Sequence, residues 1–216
     1  MQEPFTIYFA GELFSMKHLV GNTLLADAML KCSRGAYRCF VPQDHEQRET
    51  TPTAIRNQDL FHVASCDLGL FHFDGPELDS GTVVEFMVAK MLDIPSVILR
   101  SDFRLGGDAR ALPWNLMVAD YPRTEVLLLD SIALYQRGLH QEGLTPTEAA
   151  LTATSQLADM VIAALDKVRV TSPILTPAQK RSAYELLQTI AGGNFEKLLT
   201  TQKIDSIISS KLERRL

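Results

Sequence analysis

The chain has 216 residues, 46% hydrophobic and 22% charged, which is ordinary for a globular protein and long enough to bury a real core in one domain, or in one domain with a small appendage. Its 21 Lys and Arg against 26 Asp and Glu give a formal net charge of −5, so no net basic field is available to hold a nucleic-acid polymer. The three cysteines Cys32, Cys39 and Cys66 are odd in number and show no CxxC spacing, which argues against a disulfide framework or a zinc site and fits a reducing, cytoplasmic setting.

Met1-Gln2-Glu3-Pro4 lacks a charged leader followed by an apolar run and does not read as a signal peptide. Phe5–Ala10 is the first candidate strand, followed by a helical pattern near Lys17–Cys32. Further strands are expected at Tyr37–Val41, Leu68–Phe73, Ser96–Arg100 and Glu125–Leu129, each rich in β-branched or aromatic residues. Helical patterns lie between them at Thr53–Ala64 and Gly81–Leu92, with a weaker one at Trp114–Ala119. Thr51-Pro52 reads as an N-cap with proline in the first helical position. Thr145-Pro146-Thr147-Glu148 is a capping box that opens a long helix to about Lys167. The longest apolar region, Val83 to Leu99, is broken by Glu85, Lys90, Asp93 and Pro95 and is no membrane span.

Pro173 changes the character of the chain. Thr176-Pro177 starts a helix, Gly192-Gly193 ends it, and Phe195, Leu198, Leu199, Ile204, Ile207, Ile208 and Leu212 recur at roughly helical spacing. Alternating strands and helices predict an α/β fold, a flavodoxin- or Rossmann-like three-layer sandwich with a mostly parallel five-stranded sheet. Residues 1–173 form this unit and residues 174–216 a helical C-terminal extension.

Ligands of open parallel sheets bind at the carboxyl ends of the strands. Three polar stretches fall there: Tyr8 to Ser15, Pro42 to Asp59, and Asp74 to Glu85. Gly11 permits close backbone approach, although a plain turn needs the same residue, and the following glycines of a dinucleotide fingerprint are missing. Glu85 is flanked by large apolar residues, which predicts a first helical turn buried all round and a carboxylate in need of a partner. The alternative is a carboxylate that only stabilises the helix N-terminus through its dipole. His18, His45, His62, His72 and His140 show no ligand spacing; His45 alone falls in a suspected site loop. Asp44, Glu46, Arg48 and Glu49 also fit a solvated loop face, Arg56 either tunes Asp59 or is a surface arginine, and Trp114 either covers a base or packs in the core.

Four segments in order, "IYFAGELF" at 7–14, "IRNQDL" at 55–60, "FDGPELDSGTVVEF" at 73–86 and "PWNLMVADY" at 113–121, resemble the successive motifs of the nucleoside 2-deoxyribosyltransferase family. The resemblance covers about residues 5–130. It implies transfer of 2-deoxyribose between nucleobases through a covalent glycosyl-glutamate, with 2′-deoxynucleosides and free nucleobases as partners and no metal or organic cofactor. Carried over residue by residue, Glu85 is the nucleophile and Tyr8 the tyrosine that hydrogen-bonds it. Asp59 and Asp79 are the aspartates near base and sugar, and Asn115 is the asparagine given to a neighbouring subunit's sugar 5′-hydroxyl. Pro42-Gln43-Asp44 resembles the base-facing segment, with Gln43 the amide best placed to read a base edge. These residue types suit the reaction, because retention at an N-glycosidic carbon needs a carboxylate nucleophile on one face and a proton source at the departing base.

Glu12 departs from the family pattern, in which proline commonly follows the glycine, and adds negative charge near the sugar pocket. In short family members the terminal carboxylate helps bind the 5′-hydroxyl; this chain runs much further, so that role does not carry over. A nucleoside 5′-monophosphate glycosidase of the same superfamily is the nearest rival. Such enzymes tend to place serines where Asp79 and Asn115 stand here, and a carboxylate beside a dianionic phosphate would repel it. A non-catalytic nucleotide-sensing module, with the C-terminal helices as its output, is the third reading. Finally, the Gly81–Leu92 helix is apolar on nearly every face, which predicts a homo-oligomer unless the C-terminal helices of the same chain cover the surplus, and the resemblance, through Asn115, implies that its sites are shared between subunits.

Overall fold

A computed structural model describes residues 3–45, 51–104 and 115–216. Five strands, β1 (Phe5–Ala10), β2 (Tyr37–Phe40), β3 (Leu68–His72), β4 (Ser96–Arg100) and β5 (Thr124–Leu128), form a single sheet in the order β2-β1-β3-β4-β5. Every pairing is parallel. The chain steps outward from β1 to β2 and then returns to the other side of β1. The crest between β1 and β3 is therefore the point where the connections diverge, the natural place for a ligand crevice.

The helices are α1 (Met16–Cys32), α2 (Pro52–Ser65), α3 (Ser80–Met91), α4 (Ser131–Leu139), α5 (Pro146–Arg169), α6 (Pro177–Ala191) and α7 (Thr201–Glu213). Strand alternation sends Ile7, Phe9, Leu68 and Leu70 into one core with α1 and α5, while Tyr8, Ala10, Phe71 and Phe73 enter the other with α2 and α3. The result is a three-layer sandwich. Tyr184 and Leu187 of α6, Phe195 and Leu199 of the connecting turn, and Ile204 and Ile208 of α7 belong to the same apolar cluster as α2 and α3.

Caps fall where the sequence places them. The Thr51 hydroxyl accepts from the Ala54 amide, and Thr145–Glu148 forms a complete capping box, as does Thr176–Gln179. Two expectations change. The described part of the segment expected as a helix at 114–119 is one 3₁₀ turn, Leu116–Val118, capped by the Asn115 side chain; Trp114 lies outside the described residues. The first turn of α3 is not enclosed on every side. Only the stripe Thr82, Phe86 and Ala89 is buried by the sheet, and Val84 on the outer face is 56% exposed with the C-terminal helices in place. Helix α4 has no counterpart among the elements expected from the sequence.

Among the described residues no helix is long and apolar enough to cross a membrane.

Candidate active site

Tyr8 sits on β1 facing the α2–α3 layer and is 1% exposed. A buried phenol needs a partner, and its hydroxyl donates to Glu85 Oε1 at 2.5 Å. Glu85 lies in the second turn of α3, half-buried, with Phe86 beside it locked against Phe71 and Phe73. Burial, then the charges of Glu85 and Asp59, push the Tyr8 phenol well above its ordinary value, so it remains a neutral donor. That coupling also places Asp59, half-buried on α2, close enough for its charge to be felt at Tyr8. Strand β1, helix α3 and helix α2 thus bring Tyr8, Glu85 and Asp59 to one place.

The other sequence-derived positions behave differently. Asp79 is the N-cap of α3: its Oδ2 accepts from the Thr82 amide at 2.7 Å and from the Thr82 hydroxyl at 2.8 Å. This fixes the helix start six residues before Glu85. Gly11 directly follows β1, and a Cβ there would lie 3.1 Å from the His72 Cβ, so the close approach it makes here is to the end of β3. The Gln43 amide is held by α1. Its Nε2 donates to the Leu19 carbonyl and the Thr23 hydroxyl, and its Oε1 accepts from Asn22 Nδ2. Asp44 is exposed at the mouth of a cleft of about 350 Å³ that also includes Phe40, His45 and His62. Asn115 is exposed in a cleft of about 570 Å³ with Ser80, Val84 and the buried Arg100, and its Oδ1 accepts from the Met117 amide.

Three groupings near the strand ends were not singled out from the sequence. Phe40 stacks at 3.7 Å on His62 and at 4.4 Å on His45, and Tyr8 stacks on Phe40 at 6.0 Å. Burial and the neighbouring His45 lower His62 to about 4, so this imidazole is neutral at physiological pH. His72 and Ser101 bond the Asp74 carboxylate; burial alone would raise it, but these bonds hold it well below the usual carboxylate range. Glu12 pairs with His18 at 3.0 Å, which gives the departure from the family pattern a cationic partner when His18 is protonated. The spacing of His62 one turn after Asp59 was the only sequence signal for the first of these.

A model of the family "Nucleoside 2-deoxyribosyltransferase" matches residues 7–117, just over half of the chain. The chain belongs to the nucleoside 2-deoxyribosyltransferase family. Similar solved structures include a 2-desoxiribosyltransferase from Leishmania mexicana, 22% identical, covering 64% of this chain and 99% of that one with a TM-score of 0.47. A conserved protein from Enterococcus faecalis V583 is 20% identical over 76% of this chain and 98% of its own, with a TM-score of 0.47. A 2-deoxyribosyltransferase from Bacillus psychrosaccharolyticus is 20% identical over 54% and 81%, with a TM-score of 0.44. No curated protein matches the chain. Within this deoxyribosyltransferase fold, the segments matching the family motifs include those that carry Tyr8, Asp59 and Glu85.

Proposed function

We propose that this protein transfers 2-deoxyribose between nucleobases by a retaining double displacement through Glu85. The reading rests above all on the 2.5 Å hydrogen bond from Tyr8 to Glu85 Oε1. Tyr8 orients the carboxylate for attack. In the first step a Glu85 oxygen bonds to C1′ while the C1′–N bond breaks, and the base nitrogen keeps that electron pair and takes a proton. In the second step the nitrogen of an incoming base attacks C1′, the ester to Glu85 breaks, and the proton returns to the acid. Of the two aspartates near base and sugar, Asp79 has one oxygen committed to capping α3, whereas Asp59 lies on the face of α2 that carries His62, which stacks on Phe40 beside Tyr8. Asp59 is therefore assigned the proton, and Asp79 holds the helix that presents Glu85.

Gln43 and Asp44 remain assigned to the base side, and Gly11 to substrate binding through close backbone approach. The Gln43 amide must exchange one of its bonds to α1 to read a base. Asn115 is assigned to a neighbouring subunit's sugar. Exposed Val84, Leu116 and Met117 around it support a homo-oligomer, as do Val126 and Leu128 of the edge strand β5, for these are large apolar side chains left in water by the single chain. Free thiols at all three cysteines support a cytoplasmic location.

Incubation with deoxyadenosine and cytosine tests the function, with deoxycytidine as the expected product. Free deoxyribose alone would make the protein a hydrolase, and no reaction would leave a binding module. Adenosine is expected to react far more slowly than deoxyadenosine, because a 2′-hydroxyl withdraws electrons from an oxocarbenium-like transition state.

A further inference from the structure

Helix α2 has two working faces. At about 100° per residue, Asn57 and Phe61, two positions either side of Asp59, point away from it. His62 stacks on Phe40, which stacks on Tyr8, and Asp59, three residues before His62, shares that face of the helix, while the opposite face meets the C-terminal helices. Asn57 is 4% exposed and its Nδ2 donates to the Gly193 carbonyl at 2.8 Å. Arg56 Nη2 donates both to Asn57 Oδ1 and to the Ala191 carbonyl. Further along α2, Lys203 of α7 lies 4.6 Å over the Phe61 ring, and the buried Tyr184 hydroxyl of α6 donates to the Ala64 carbonyl at 2.9 Å.

The turn that makes the first of these contacts is built for close approach. Gly192, Gly193 and Asn194 are successive left-handed residues, with φ of 62°, 56° and 63°. A Cβ on Gly193 would sit 2.6 Å from Thr53 Cγ2 in the first turn of α2. A threonine methyl on a helix has little rotamer freedom with which to move aside.

We infer that the Gly192–Asn194 turn and the C-terminal helices behind it form a backing for α2 that sets the position of Asp59, with Gly193 and Asn57 as positioning residues for the proton-transfer step. This rests on the proposed transfer reaction. Two of its features are separable from general stability. Displacing α2 changes Asp59 relative to Tyr8 and Glu85, whereas Glu85 itself rides on α3, whose start is capped by Asp79. The loss must then fall on bases that need a proton in order to leave.

Gly193→Ala pushes on Thr53 and strains the turn, whose φ of 56° at this position disfavours a side chain; Asn57→Ala removes the bond to Gly193 instead. With Gly193→Ala or Asn57→Ala, transfer from deoxynucleosides with poorly leaving bases is expected to slow about tenfold or more, while that from readily expelled bases changes by about twofold at most. In parallel, the ¹³C carboxyl signal of Asp59 in the ligand-free protein, assigned with Asp59→Asn, is expected to move in both variants. A uniform loss across leaving groups, or an unmoved Asp59 signal beside a lowered Tm, overturns the inference. If the wild type transfers no deoxyribose, the proposed function falls, and the Asp59 signal still decides whether the turn positions that carboxyl.

Discussion

The Tyr8 hydroxyl and the Glu85 carboxylate meet at 2.5 Å although they lie 77 residues apart in the chain. One comes from β1, an interior strand of the sheet, and the other from a helix whose start is pinned by Asp79. A buried phenol that stays neutral is suited to holding a carboxylate in one orientation while taking only part of its charge.

Tyr8→Phe keeps the ring and its stacking on Phe40 but deletes that donor. Loss of one charge-assisted hydrogen bond is worth roughly 1.5–3 kcal/mol, so kcat is expected to fall by about one to two orders of magnitude. Steady-state base exchange measures this, and circular dichroism should report an unchanged fold. An unaltered kcat would show that the bond does not serve catalysis.

Stability should carry the signature of a lysine buried in the C-terminal helices. Lys211 is 3% exposed, donates to the Cys66 carbonyl, and is lowered by burial to about 8 from 10.5. Between those values the unfolded chain holds a proton that the folded one has released, so this residue makes stability rise with pH across that window. Below about pH 8 the cost of the buried ammonium is fully present. The thiols of Cys39 and Cys66, raised by burial to about 12, work in the opposite sense above their unfolded values. The informative quantity is therefore wild type minus Lys211→Met in urea unfolding. That difference should change by roughly 3 kcal/mol from pH 7 to pH 10.5, with the variant gaining relative stability at the lower pH. A pH-independent difference would contradict it.

Shared sites predict complementation. Glu85→Ala and Asn115→Ala subunits, each inactive alone, are expected to recover part of the activity when mixed, because some interfaces then pair an intact nucleophile with an intact sugar contact. Light scattering should give a mass above that of one chain. A fully active monomer, or no recovery despite subunit exchange, would remove the shared-site assignment.

Much of the layout was legible because its signals are local. Strand limits such as Phe5–Ala10 and Ser96–Arg100 agree with the sequence reading, since short β-branched runs bounded by turn residues leave little freedom. The Thr145 capping box and the Thr176-Pro177 pair marked helix starts to the residue. Helix α4 escaped although Asp130 caps it, because Gly138 in its last turn reads as a breaker. That glycine lets α5 approach, and a Cβ there would lie 2.8 Å from the Ala149 carbonyl oxygen. The exposed outer face of α3 and the capture of Gln43 by α1 were also beyond a one-dimensional reading. Both depend on which neighbour arrives in space, and neither Val84 nor Gln43 has a sequence pattern that says so. Tyr8 meeting Glu85 was expected from the family motifs and not from spacing.

The central claim is that Glu85 carries the sugar. The most direct measurement is intact-mass and peptide-mapping mass spectrometry of wild-type protein incubated with a 2′-deoxynucleoside and no acceptor base. The account predicts a single deoxyribosyl adduct on the peptide containing Glu85, discharged on addition of a second base and absent from Glu85→Ala. An adduct on another residue, or full transfer activity in Glu85→Ala, would contradict it.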